Sequence, residues 1–384
     1  MNRYDVIVIG AGSIGTPTAM ALGELGLRTL VIDKRPSPGQ GENKHAIGGV
    51  RATHTDPAKI IAGHRSLEIF STWRDRYGDD IEWSRGGYIF PVYRPQEADL
   101  LKSFLPVQKQ FKLKIDFVDA QSIADAVPGI NRIDLMGGTI SPDDGTASPL
   151  LAVNAFFRRA VDDGVVFQFR KTVTQLLVEQ GRIVGAATET DRFCAPVVVD
   201  AAGPFSDELA QSIGERTPVV PESHEAAVTE PVQLFCPAMV VDLRPGPGSS
   251  NFYFYQNDHG QLVFCITPDP PIVGRDYRET STFLPQVCQR LVTLVPRLKN
   301  LRVRRVWRGL YPMTSDGSPF VGWNRHIKGL MHATGMCGQG FMLGPGLGET
   351  IARAVAGQST ADDAEILNRF SLYRDLGSEV EALK

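Results

Sequence analysis

The order of apolar and polar residues divides the chain into recognisable pieces. YDVIVIG opens with Val6–Ile9 uninterrupted by polar residues and then meets glycine. An apolar β-branched run of that length, closed by turn residues, suits a strand buried on both faces of a parallel sheet. Helix-compatible Thr16–Leu25 follows, then RTLVID as a second strand ending at Asp33. Residues 34–56 are rich in Gly, Pro and polar side chains and predict an extended loop. Between 57 and 77, Ile60, Ile61, His64, Leu67 and Phe70 recur at helical spacing.

SRGGYIFPVY (84–93) predicts a strand after a Gly-Gly turn, and residues 94–113 a helix broken at Pro106. The turn-rich GGTISPDDGTASP (137–149) predicts a loop, and 150–165 an amphipathic helix ending at Gly164. A meander of strands at about 165–169, 173–179, 182–190 and 192–200 follows. It closes in VVVDAAGPFSDELA, a second junction of strand, glycine and helix. Residues 216–300 read as mixed strand and helix, and RVRRVWR (302–308) as a strand with one charged face. A glycine-rich run then leads into a polar C-terminal helix. The nucleotide-type elements occupy 1–80, 145–215 and 303–384 and are interrupted by inserts at 81–144 and 216–302. The expected fold is therefore α/β, with two interleaved domains.

Two stretches carry candidate chemistry. In GAGSIG, Gly10 allows a tight turn, and Gly12, Ser13 and Ile14 bring backbone toward a pyrophosphate. Gly15 lets strand and helix pack closely, and the helix N-terminus faces the phosphates. Asp33, at the end of the second strand, is placed to accept from ribose hydroxyls, with Lys34 beside it. The second stretch, HATGMCGQGFMLGPGLGET (332–350), holds six glycines, which suggests backbone passing close to a ligand. Helix–strand packing is the alternative. The first motif leaves NAD and FAD both open, although the βα alternation stops after Asp33.

Composition narrows the classes. The chain has 384 residues, a net charge of -3 and 22% charged residues, so no basic footprint for nucleic acid is expected. No apolar run approaches the length of a membrane span. Five scattered cysteines without a CxxC pair argue against a disulfide framework or a zinc site. With no signal-peptide pattern, they point to the cytoplasm. No metal site is expected, and no Ser-His-Asp or HExxH arrangement is present.

Six segments together resemble the FAD-dependent amino-acid and amine oxidoreductases of the D-amino acid oxidase type, which include sarcosine oxidases, glycine oxidase and proline dehydrogenase subunits. They are DVIVIGAGSIG, GGVR at 48–51, GGYIFPV at 86–92, VVDAAGPFSDELA at 198–210, GLYPMTSDGSPFVG at 309–322 and ATGMCGQGFMLGPGLGE at 333–349. The resemblance implies a Rossmann-type FAD-binding domain interleaved with an antiparallel-sheet substrate domain. It implies that a small amine or amino acid is oxidised by hydride transfer to flavin N5, giving an imine that hydrolyses. Carried onto this chain, the flavin contacts are Gly48, Gly49, Val50 and Arg51 on one side, and Gly338, Gln339, Gly340, Phe341 and Met342 on the other. Val173, Ala202, Gly203 and Gly309 complete the cofactor set.

Departures from the family bear on substrate and acceptor. The arginine and lysine positions that hold a substrate carboxylate in monomeric sarcosine oxidases are His54 and Met342 here. The arginine of the GLRP strand in glycine oxidase is Tyr311. Candidate replacements are His54, Tyr253, Tyr255, Arg308 and Tyr311. Gly309 and Leu310 stand where the flavin-attaching cysteine would be, so FAD is expected to bind non-covalently. Gln261–Tyr277 has no lysine to promote reaction with oxygen, which leaves oxidase and dehydrogenase open. Two further readings stand beside the first: oxidation of a 2-hydroxy acid or polyol phosphate, and a flavoprotein subunit that needs a partner or separate electron acceptor.

Overall fold

The computed structural model describes residues 3–376. Residues 377–384, the end of the 303–384 segment, and residues 1–2 lie outside that description. Two large sheets organise the chain. The first has six strands in the order Phe320–Trp323, Leu330–Thr334, Val197–Asp200, Val6–Ile9, Thr29–Asp33 and Val166–Phe169. All neighbours are parallel except the first pair. Val6–Ile9 is central and fully covered, which is why it carries no polar residue.

The second sheet has eight strands: Val303–Met313, Val220–Thr229, Leu262–Pro268, Ser249–Gln256, Met239–Asp242, Tyr88–Val92, Gly137–Ser141 and Asp116–Val118. It is antiparallel except where Met239–Asp242 runs parallel to Tyr88–Val92. Val303–Met313 pairs with Val220–Thr229 over its whole length, so this strand joins the second sheet and not the nucleotide-type sheet. Its Arg304 and Arg305 are exposed at the sheet edge, where charge discourages further pairing.

Several elements differ from the sequence expectation. Residues 137–149 are not a loop, because they supply Gly137–Ser141 and the short strand Gly145–Thr146. Turn-type residues mask these strands, and Gly138 is required there because a Cβ would lie 2.3 Å from the Phe90 carbonyl oxygen. The 84–93 strand is confined to Tyr88–Val92. The Pro95–Gln110 helix runs through Pro106 without a break. Pro106 and Lys102 both lie on the exposed side, where water can satisfy the carbonyl that proline leaves unpaired. The expected 192–200 strand divides into Arg192–Cys194 and Val197–Asp200. Pro196, which has no N–H to give, sits where the chain passes from the small meander sheet to the six-stranded one.

Long helices lock the sheets together. Pro57–Tyr77 begins at Asp56, whose carboxylate accepts from the Ala58 and Lys59 amides at 2.7 and 3.2 Å, and stops at Gly78 with φ 75°. The Gly340–Val355 helix crosses both Gly15–Glu24 and Pro57–Tyr77. Added Cβ atoms at Gly344, Gly346 and Gly348 would lie 2.0, 2.2 and 2.8 Å from Ser13 O, Ala62 O and Thr18 N. Half of the glycine-rich run is therefore helix packing, and only Gly335, Gly338 and Gly340 precede or open the helix.

Candidate active site

One cavity of about 550 Å³ lies between the two sheets. Its nucleotide end is built from the first strand–turn–helix unit. Gly10, Gly12, Ser13 and Ile14 line it, as do Asp33, Lys34, Val173, Ala202 and Gly203. The Asp33 carboxylate accepts from the Ala11 and Arg35 amides, each at 2.6 Å, which fixes it at the cavity edge. Burial depresses the Lys34 ammonium's pKa, and Nζ sits 3.1 Å above the Phe205 ring. A Cβ on Gly12 would meet nothing within 4 Å, so the fingerprint turn faces open space. Gly15 lies behind the wall, where a Cβ would be 1.8 Å from Gly10 O. Its role is to let helix and turn close.

The middle of the cavity is flanked by Gly48, Gly49 and Arg51 on one side and Gly309 with Gly338–Met342 on the other. Val50 does not reach the wall: alternation along the short Gly49–Val50 strand turns it into the core. Glu42 ties the loop after Asp33 to the second sheet. Its carboxylate accepts from Leu310 N at 2.7 Å and Tyr277 Oη at 2.6 Å. Burial raises its pKa, but hydrogen bonds from His45, Tyr277 and Leu310 outweigh that and leave it lowered.

At the far end the second sheet closes the cavity with His224, Tyr253, Cys265 and Tyr311 above an apolar wall of Phe90, Met239 and Val241. The two tyrosine hydroxyls are 3.1 Å apart, and the His224 ring stacks on Tyr311 with centroids 3.8 Å apart. Burial first, then the nearby Arg308 charge, pushes the His224 pKa down to about 3. Burial drives both tyrosines and Cys265 upward. All four groups are therefore uncharged at neutral pH.

Of the candidate substrate residues, Tyr253 and Tyr311 line this end, whereas His54, Tyr255 and Arg308 do not. His54 is fully buried behind Arg51, and burial lowers its pKa well below the usual value. Tyr255 shares a face with Tyr253 but lies one residue pair farther along, packed with Tyr88, Met239 and Val263. Arg308 sits on the opposite face of its strand from Tyr311, where it donates to Arg278 O at 2.6 Å. Sequence reasoning missed His224, Cys265 and Met239. His224 reaches the site only because Val220–Thr229 pairs in register with Val303–Met313, opposite Gly309.

The residues fit a long dinucleotide cofactor. Gln339 is 3% exposed and lines the cavity, yet neither its side-chain oxygen nor nitrogen has a hydrogen-bond partner. Such an orphaned amide calls for a ligand with donors and acceptors, as the pyrimidine edge of a flavin has. Among the described residues no helix is long and apolar enough to cross a membrane. Nor, among them, do three or more His, Cys, Asp or Glu side chains gather as metal ligands.

Comparison with known proteins agrees with that geometry. Sarcosine oxidase subunit beta of Rhodobacter capsulatus is 24% identical, covering 99% of this chain and 92% of the relative. Glycine oxidase of Geobacillus kaustophilus is 25% identical, with 98% of each chain covered. The crystal structure of L-proline dehydrogenase from P. horikoshii superposes with a TM-score of 0.92 at 26% identity, covering 99% of both chains. The profile of the DAO family, FAD dependent oxidoreductase, matches residues 5–354, and the chain belongs to that family of FAD-dependent oxidoreductases.

Proposed function

We propose that the protein oxidises a small amine or amino acid, of the sarcosine, glycine or proline kind, at the carbon bearing nitrogen. Bound FAD supplies a two-electron acceptor at N5. The chain supplies everything else. Gly10–Ile14 and Asp33 hold the nucleotide half. Arg51 and Gly338–Met342 hold the ring half, and the Gly340–Val355 helix presents its N-terminus, roughly +0.5 charge, toward it. FAD is held without a covalent bond. The Cys337 thiol is committed to Thr314, 3.2 Å away, and burial raises its pKa, so little thiolate forms.

The observation that carries the substrate reading is the uncharged aromatic end formed by His224, Tyr253 and Tyr311. A hydride leaves the carbon of a neutral amine more readily than that of an ammonium. A water-poor, uncharged enclosure penalises the ammonium and favours the neutral form. Of the hydrogen-bonded Tyr253 and Tyr311 hydroxyls, the one whose proton is not given to its neighbour donates to a substrate carboxylate in place of an arginine. Phe90, Met239 and Val241 exclude water from the reacting carbon. The balanced step takes a hydride from carbon and a proton from nitrogen, and water then hydrolyses the imine to a carbonyl and a free amine. The acceptor for the reduced enzyme is oxygen, a partner subunit or another carrier.

The test is anaerobic. The yellow holoenzyme is mixed with sarcosine, glycine, L- and D-proline and 2-hydroxyglutarate, and the visible flavin band is followed. Bleaching by an amine is the expected result, and admission of air then reports whether oxygen serves as acceptor. Bleaching by the hydroxy acid alone would overturn the amine reading. Failure of the whole panel, reversed on adding a partner protein, would move the activity to a complex.

A further inference from the structure

We propose that Arg374, in the segment after the Ala361–Arg369 helix, is a positioning residue for the glycine loop over the cavity. The inference rests on the reading that this loop contacts the flavin. Arg374 lies outside the six family-like segments and does not line the cavity, yet an unbroken chain of polar contacts joins it to the cavity wall. Its guanidinium grips Asp316 through Nε at 2.6 Å and Nη2 at 2.9 Å. It also donates to Pro319 O at 2.7 Å and Ser318 O at 2.7 Å, and lies 4.5 Å above the Phe320 ring. A planar, five-donor group is used here almost to capacity, which lysine could not imitate.

Asp316 passes the constraint inward. Its Oδ1 accepts from Thr314 Oγ1 and from Ser318 N, both at 3.0 Å. Thr314 Oγ1 lies 3.2 Å from Cys337 Sγ, and Thr314 N donates to the same sulfur at 3.4 Å. Cys337 needs such a hold. It has φ +49°, a left-handed conformation that disfavours any residue carrying a Cβ. It occurs immediately before Gly338 and Gln339, the residues placed against the ring. Cys337 itself lines the cavity. Asp316 and Arg374 are 6% and 11% exposed at their side chains, so the pair works in a weakly screened environment. On the far side, Lys59 Nζ donates to Gly317 O at 2.7 Å, which pins the turn between Asp316 and Ser318. The C-terminal segment thus acts on the flavin loop through Asp316 and Thr314 without touching the cofactor.

The test uses the full chain and reads flavin, not only turnover. Arg374→Gln removes the grip, and Thr314→Val breaks the relay at its middle with nearly unchanged volume. Arg353→Gln serves as control: at the far end of the Gly340–Val355 helix, Arg353 fastens the Ala361–Arg369 helix through Asp363 at 2.7 and 2.8 Å, and its hydrogen bonds go to Asp363 and Glu349 and not to Asp316, Thr314 or Cys337. The expected result is a five- to tenfold rise in the FAD dissociation constant, of the size of about one ordinary hydrogen bond, for both relay variants. A changed visible circular dichroism of the bound flavin should accompany it, Arg374→Lys should rescue it only in part, and the double variant should cost less than the sum. Arg353→Gln should lower the melting temperature and leave flavin binding and spectrum intact. If Arg374→Gln does not fold, Thr314→Val alone decides. Relay variants that melt earlier yet bind FAD with unchanged affinity and spectrum overturn the proposal. Gln339→Ala separates the two failures. If it alone weakens FAD binding, the loop reading stands and the relay falls; if it and the relay variants all leave binding unchanged, the loop reading falls as well.

Discussion

Gly338→Ala sets a backbone penalty and a clash with a fixed aromatic ring at one position of the site. Gly338 has φ +79°, where an alanine costs roughly 1–2 kcal/mol. The new Cβ would also lie 2.3, 2.5 and 2.8 Å from Cε2, Cδ2 and Cζ of Tyr311. That ring cannot swing aside freely. One face is stacked on His224 at 3.8 Å, and its hydroxyl is engaged with Tyr253 at 3.1 Å. Overpacking against a fixed group costs about 1–3 kcal/mol. The two costs together reach about 2–5 kcal/mol. The loop can avoid part of this by retreating from the ring, and the cost then appears as lost FAD affinity, tenfold for each 1.4 kcal/mol. Equilibrium unfolding of the apo-protein and FAD titration, measured together, should recover the sum. In a Tyr311→Ala background the steric share should vanish and only the backbone share remain. A Gly338→Ala protein within about 0.5 kcal/mol of the parent in both assays would refute this packing argument.

Gly12→Val should leave the apo-protein's melting temperature unchanged while weakening FAD binding at least 100-fold, because its side chain would occupy only the space the cofactor needs. Gly15→Ala should do the reverse damage and prevent stable folding, since its Cβ meets Gly10 O at 1.8 Å, which soluble expression and circular dichroism would show at once. His224→Gln should lower kcat/KM by about 10- to 100-fold, in line with loss of a substrate-orienting contact, without displacing the pH–rate profile. The sign follows from its pKa of about 3: between there and the ordinary value near 6.5 only the unfolded chain binds the proton, so the native state loses stability as pH falls through that window. Thermal melts at pH 8 and pH 5 should therefore converge in the variant, and equal convergence in the parent would contradict a buried neutral imidazole. At Asp363, burial raises the carboxyl pKa, but hydrogen bonds from Arg353, Thr360 and Arg65 outweigh it and hold it well below the usual range. Its stabilisation is present above the unfolded carboxylate's pKa and fades as pH falls toward the folded one, so Asp363→Asn should flatten the acid limb of the melting curve.

What the sequence revealed and what it hid divide along one physical line. The fingerprint turn, Asp33 and the Pro57–Tyr77 helix were legible because each is specified by near neighbours. A buried β-branched strand leads into the turn, and Asp56, Pro57 and Gly78 mark the helix ends. The aromatic end of the cavity was hidden because it is made by register. His224 stacks on Tyr311 only when two strands far apart in sequence pair opposite Gly309, and nothing local states that pairing. The same alternation sends Arg308 to the wrong face while its neighbour Gly309 lines the cavity.

The glycine run shows a third case, in which the composition was read correctly and its cause only in part. Gly344, Gly346 and Gly348 exist because two helix backbones approach within atomic contact of a third, and Gly338 exists because a tyrosine ring occupies the volume of its missing side chain. A residue without a side chain looks the same in either setting. The two uses nevertheless serve one end. The helix that packs through its glycines is the one whose first turn carries Gly340 and Met342 to the cavity, so close packing sets how near the loop before it can lie to the cavity. Enlarging a packing glycine should therefore be felt at the site: Gly346→Ala, with its Cβ 2.2 Å from Ala62 O, must lift the helix from Pro57–Tyr77 and carry the loop with it. Weakened FAD binding in that variant, with no contact altered at the ring itself, is the expected outcome. Unchanged binding in a protein that still folds would mean that helix and loop are positioned independently.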